Sequence, residues 1–264
     1  MRVSRILAPN PGPFTGAGTN TYVVGSVDEA LVIDPGPLDP SHRRAIRETI
    51  EDLRPVAVLV THAHSDHAPL ANPLAEELAV AACGFADGPG FRADGRLVEG
   101  DEVRLGREAL LALHTPGHSA DHLCFRVGEA LFTGDHILGG SSVTVEDMGA
   151  YLASLERLRD LPLRRIYPGH GPEIDRPAEA IDEYLRHRRE REKQILAAVE
   201  GGAATVRAVV ESVYRGVDPD LHPLAARSVL AHLRKLSAEG RVDLAEGPSD
   251  NLEEISVAIR KARA

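Results

Sequence analysis

The chain has 264 residues, 43% hydrophobic and 4% aromatic, with a formal net charge of −10 and two cysteines. That length suits one large domain plus a small one, and the acidic balance, with no tryptophan, argues against a broad basic surface or a stacking platform for nucleic acid. No apolar run is long enough to span a membrane, and residues 1–7 run into Pro9, Pro11 and Gly12 rather than the apolar core of a secretion signal, so a cytoplasmic protein is expected.

In chain order, residues 21–24 and 30–33 read as two strands around a polar turn. Ser41 is the expected N-cap of a helix through Leu53, with Pro55 as its stop. The apolar run 56–60 reads as a buried strand. Residues 73–78 read as helix and 80–83 as strand. The stretch 85–95, rich in Gly, Asp and Pro, is expected to be a loop, either bordering a substrate cleft or simply solvated. Short strands follow within 97–113 and 122–127. Met148, Leu152, Leu155 and Leu158 have helical spacing within 146–161, and 163–167 reads as the next strand. Pro177 opens a long helix reaching about Glu200, which Gly201 and Gly202 end. Residues 205–214 and 224–239 read as further helices, and 240–244 as a short hairpin wing. Strands alternating with helices predict a layered α/β architecture.

The chemistry concentrates in Thr61-His62-Ala63-His64-Ser65-Asp66-His67, where three imidazoles and one carboxylate fall within six residues. A loop leaving a buried strand can aim all four at one small volume. Imidazole nitrogen with carboxylate oxygen suits zinc and, less selectively, iron, manganese or cobalt. His118, Asp135 and His170 each follow a strand-like run, and a glycine directly precedes each one. Donors at successive strand ends can converge on one sheet edge. The two cysteines, Cys83 and Cys124, lack metal-type spacing and read as buried reduced thiols.

With this His-x-His-x-Asp-His signature and the distant His, Asp and His, the chain resembles the metallo-β-lactamase superfamily. Gly18-Thr19-Asn20-Thr21-Tyr22, Asp34-Pro35-Gly36 and the helical tail after Arg176 resemble the lactamase-beta-like protein 2 group within it. The resemblance implies a four-layer αβ/βα sandwich over residues 1–175 and a small winged-helix-like domain over 176–264. It implies that His62, His64 and His118 hold one zinc ion and Asp66, His67 and His170 a second, with Asp135 between them. Manganese or iron could replace zinc. Asp66 and Asp135 are expected to serve catalysis as well as binding. Thr19, Asn20, His122 and His136 are weaker candidates for orienting a ligand or touching substrate.

The expected function is that of a dinuclear zinc hydrolase using a metal-bridging hydroxide on a small ester, thioester or related acyl substrate. Alternatives are a metal-dependent single-strand endoribonuclease, a weak β-lactamase, or a nucleic-acid-binding regulator with a disused hydrolase domain. An aspartate at position 135 disfavours the antibiotic-hydrolysing branch, whose members resembling this superfamily commonly lack it. The whole charge of −10 falls in residues 1–175, where 25 acidic residues face 15 basic ones, which disfavours RNA as partner. The run 186–193 mixes both signs at helical i, i+4 spacing and reads as a solvated face. A homodimer is common among proteins that look like this one.

Overall fold

The computed structural model describes residues 1–245 and 252–260. The chain divides into two compact units, one built from residues 1–116, 120–143 and 160–178, the other from 117–119, 144–159 and 179–264.

The first unit holds two sheets. Strands β1 (Arg2–Leu7), β2 (Asn20–Gly25), β3 (Glu29–Ile33), β4 (Arg54–Leu59), β5 (Ala81–Gly84) and β6 (Gly95–Arg96) lie side by side in sequence order. The pairs β1–β2 and β2–β3 are antiparallel, while β3 through β6 run parallel. Parallel neighbours need crossover connections. Helix α1 (Pro40–Thr49) supplies one between β3 and β4, and α2 (Ala71–Leu78) supplies the next. The second sheet has the order β11 (Arg165–Pro168), β10 (Ala130–Gly134), β9 (Leu123–Val127), β8 (Glu108–His114), β7 (Glu102–Leu105) and is antiparallel except for β10–β11.

Side chains alternate across a strand, and that alternation sorts the central strands into two cores. Tyr22, Val24, Leu31, Ile33, Ala57 and Leu59 join Leu110, Phe125 and Phe132 of the second sheet. Val23, Val32, Val58 and Val60 pack instead with Ile46 of α1 and Leu74 of α2. The strands are therefore buried on both faces, which is why they read as unbroken apolar runs. Tyr22 joins the sheets: its ring lies 5.3 Å from that of Phe132 and 5.4 Å from that of Tyr167. Burial pushes its phenol far up, so the neutral hydroxyl donates to the Pro168 carbonyl at 2.8 Å.

The second unit contains α3 (Met148–Arg159), α4 (Pro177–Glu200, from residue 179 onward), α5 (Val206–Val213), α6 (His222–Ala238) and a two-stranded ribbon of β12 (Val242–Ala245) and β13 (Ser256–Ile259). Ile195, Val199, Val209, Val229, Leu233, Val242 and Val257 form its core. No helix among the described residues is long and apolar enough to cross a membrane.

Three local expectations need correction. Helix α1 starts at Pro40, capped by Asp39, whose side chain accepts from the His42 N–H, and it ends at Thr49. Ser41 is inside the helix and Pro55 lies within β4. Residues 240–244 contain no complete hairpin: β12 finds its partner in β13. Strand β1 gave no clear signal, because an edge strand with alternating exposure carries Arg2, Ser4 and Arg5 among its apolar residues.

Candidate metal centre

Each expected donor leaves the carboxyl end of a strand. Residues 62–67 follow β4, Asp135 follows β10 and His170 follows β11. Glycines make the close approach possible. Gly134 has φ +45°, a left-handed backbone that glycine adopts without a Cβ penalty, and a methyl there would lie 2.4 Å from Thr61 Oγ1. At Gly169 space is decisive: a methyl would sit 2.7 Å from His67 Cε1 and 2.8 Å from Asp135 Oδ1.

Two donor groups result. Ligand atoms of His62, His64, His118 and Asp135 all lie within 4.8 Å of one another, as do those of Asp66, His67, Asp135 and His170. Asp135 belongs to both. Within the first group His62 Nε2 and His64 Nδ1 are 2.9 Å apart. Within the second, His67 Nε2 and His170 Nε2 are 3.3 Å apart, and Asp66 Oδ2 lies 3.4 Å and 3.1 Å from those two nitrogens. Asp135 Oδ1 lies 3.3 Å from each of the same nitrogens.

The Nδ1 sides of His67, His170 and His118 are also held. Asp34, at φ +50°, accepts from the Thr61 N–H at 2.7 Å and the Thr61 hydroxyl at 2.8 Å, and its Oδ2 takes the His67 Nδ1–H at 2.9 Å. His170 Nδ1 faces the Gly18 carbonyl at 3.2 Å, and His118 Nδ1 the Thr144 carbonyl at 2.7 Å. Such partners fix ring orientation and leave Nε2 to face the donor group.

Burial disfavours the charged ring of His170, yet its bonds to Asp135 and Asp66 outweigh that and push its pKa up to about 9. Burial likewise opposes protonation of His67, and the charges of Asp135 and Asp34 overcome it, holding the ring well above its ordinary range. Burial would raise both Asp135 and Asp66; the charge of His67 and bonds from His170 and His67 hold Asp135 well below, and bonds from His170 and His67 do the same for Asp66. Carboxylates partly withdrawn from water in this way need positive charge beside them. Protons on the imidazoles supply it in one state and a divalent cation can supply it in another. The donor set, nitrogen and carboxylate oxygen in two groups, fits two borderline cations such as zinc.

The weaker candidates have defined surroundings. Thr19 pairs through its backbone with His170, and Asn20 Nδ2 donates to the carbonyls of Pro168 and Gly171, 2.9 Å each, on either side of that histidine. His122 is fully buried; Nε2 accepts from the Asp135 N–H at 3.3 Å, so Nδ1 carries the proton toward Thr115 Oγ1 at 3.0 Å. His136 is fully buried, its ring 5.7 Å from that of His122. Sequence reasoning left Asp34 out of the site. Its signal was part of the pattern of the other donors, an acidic residue just after an apolar run, but without the preceding glycine.

Residues 14–170 match the metallo-beta-lactamase superfamily and residues 205–247 the beta-lactamase associated winged helix domain. A Caenorhabditis elegans protein named beta-lactamase-like protein 2 homolog is 34% identical over 91% of this chain and 86% of its own. An atrochrysone carboxyl ACP thioesterase of Aspergillus chevalieri is 36% identical over 91% of this chain and 82% of its own. A solved structure, TTHA1623 in a di-iron-bound form, is 30% identical with a TM-score of 0.54 and covers 67% of this chain and 96% of its own.

Proposed function

The chain belongs to the metallo-beta-lactamase superfamily of hydrolases, and we propose that within it the protein is a dinuclear zinc enzyme that cleaves a small thioester or ester. The observation that carries this reading is the sharing of Asp135 by two separate donor groups. His62, His64 and His118 would hold one ion, Asp66, His67 and His170 the other, and Asp135 both. Metal ions held by these residues would supply the activation of a water at neutral pH and the polarisation of the acyl oxygen.

The chain's own residues do the positioning. Asp34 accepts a hydrogen bond from the Nδ1–H of His67, and the Gly18 carbonyl faces Nδ1 of His170, so both Nε2 atoms point to the same small volume. Asn20 ties the chain on both sides of His170, and His122 holds the backbone of Asp135. These contacts keep the donors in place before substrate arrives. Iron is the main competitor for zinc, since the same donor chemistry accepts both and a 30%-identical relative has been solved with two irons.

The acyl class is favoured because a 36%-identical relative spanning most of the chain is named a thioesterase, and because the acidic balance suits a small substrate better than a polyanion. The test is a parallel screen of metal-loaded protein against a thioester, a lactone, an RNA phosphodiester and a β-lactam. The thioester is expected to be turned over with the highest kcat/KM. Preference for the phosphodiester would replace it with the nuclease reading.

A further inference from the structure

Ala63 lies between the two imidazole donors His62 and His64 and is 7% exposed. Its flanking side chains converge, with His62 Nε2 and His64 Nδ1 2.9 Å apart, so the tripeptide's backbone sets their separation. Two contacts from distant parts of the chain meet at this alanine. Its N–H donates to Asp121 Oδ2 at 2.9 Å. Its methyl faces Gly88 so closely that a methyl on Gly88 would lie 2.3 Å from Ala63 Cβ, well inside van der Waals contact.

Gly88 is not among the residues with left-handed backbone, so space rather than torsion demands glycine there. Nor can the 85–95 segment easily yield. Gly88 exchanges two backbone hydrogen bonds with Phe91, each 3.0 Å. The Phe91 ring is buried in the same core cluster as Ala63. A side chain at position 88 must therefore push on Ala63, and with it on His62 and His64. The geometry points to Gly88 and Asp121 as positioning residues that clamp Ala63 and so hold the His62–His64 pair at the separation a divalent cation requires. The role rests on the metal-binding reading given under Proposed function. It gives the 85–95 segment a direct mechanical contact with one donor group.

The test uses full-length protein, stripped and reloaded with cobalt(II), reading stoichiometry, affinity and the visible ligand-field spectrum. Gly88→Ala and Asp121→Ala are expected to weaken uptake at one of two positions about ten- to hundredfold, the usual scale for a lost supporting contact, with an altered spectrum and the other position retained. Asp121→Asn keeps an acceptor oxygen and is expected to bind as wild type. Ala63→Gly, added to Gly88→Ala, removes the colliding methyl and should restore both affinity and spectrum. Should Gly88→Ala fail to fold, the Asp121→Ala and Asp121→Asn pair decides. The clamp is refuted if both single variants take up two ions with unaltered affinity and spectrum, or if Ala63→Gly gives no rescue. Wild-type protein that takes up no cobalt would instead refute the metal reading beneath it.

Discussion

Asp34 concentrates three hydrogen bonds in one buried carboxylate, two from Thr61 and one from the Nδ1–H of His67. Asp34→Ala should leave that ring unoriented and weaken the metal held by His67 about ten- to hundredfold, measurable by competition with a chromophoric chelator; unchanged affinity would mean His67 needs no such partner. A second residue-scale outcome concerns protons. The pKa of His170 is raised to about 9 in the metal-free site. The stabilisation from its charged form is complete below about 6.5, the ordinary histidine value, and is lost as pH rises through 9. A cation takes the same nitrogen only when the proton leaves. Metal binding should therefore release protons near pH 7.5 and tighten as pH rises toward 9, which calorimetry in buffers of different ionisation enthalpy would detect. Binding without proton release would count against His170 as a ligand. Asp135 and His170 were legible because strand, glycine and donor occur in an unbroken order. Asp121 was not, because its acceptor role depends on a backbone N–H 58 residues away.

Elements were legible where one rule acted alone. Helix α4 begins at Pro177 and ends just before Gly201-Gly202, as the preferences of proline and glycine dictate. At α1 two capping residues competed, and Asp39 won because Pro40 at the first helical position fixes the start. Edge strand β1 was illegible because its pattern is half-exposed, and the wing expected over 240–244 proved to be one strand, β12, whose partner β13 begins at Ser256. The two sheets of the first unit meet through Tyr22, Phe132 and Tyr167. Phe132 is 1% exposed, so Phe132→Ala should cost about 3–5 kcal/mol of stability in urea unfolding. A loss below about 1 kcal/mol would show that the aromatic contact does not join the sheets.

At the scale of the whole molecule, charge separates the candidate functions. The acidic residues outnumber the basic ones, 25 to 15, within 1–175, the span that holds all seven donors. Hydrolysis of a neutral acyl substrate should then change little between about 50 and about 200 mM salt, whereas tight RNA binding would fall by about a thousandfold or more over that interval. A steep salt dependence of turnover would favour the polyanion. The winged helix domain is part of the family match, but fold alone assigns it no ligand. The sharing of Asp135 by two ions is tested by the zinc content of stripped and reloaded protein, wild type against Asp135→Ala, with thioester hydrolysis followed on the same samples. Two ions per chain and turnover are expected in the wild type, and a lost ion with turnover abolished in the variant. Two ions and full activity without Asp135, or a wild type that hydrolyses with no metal bound, would contradict it.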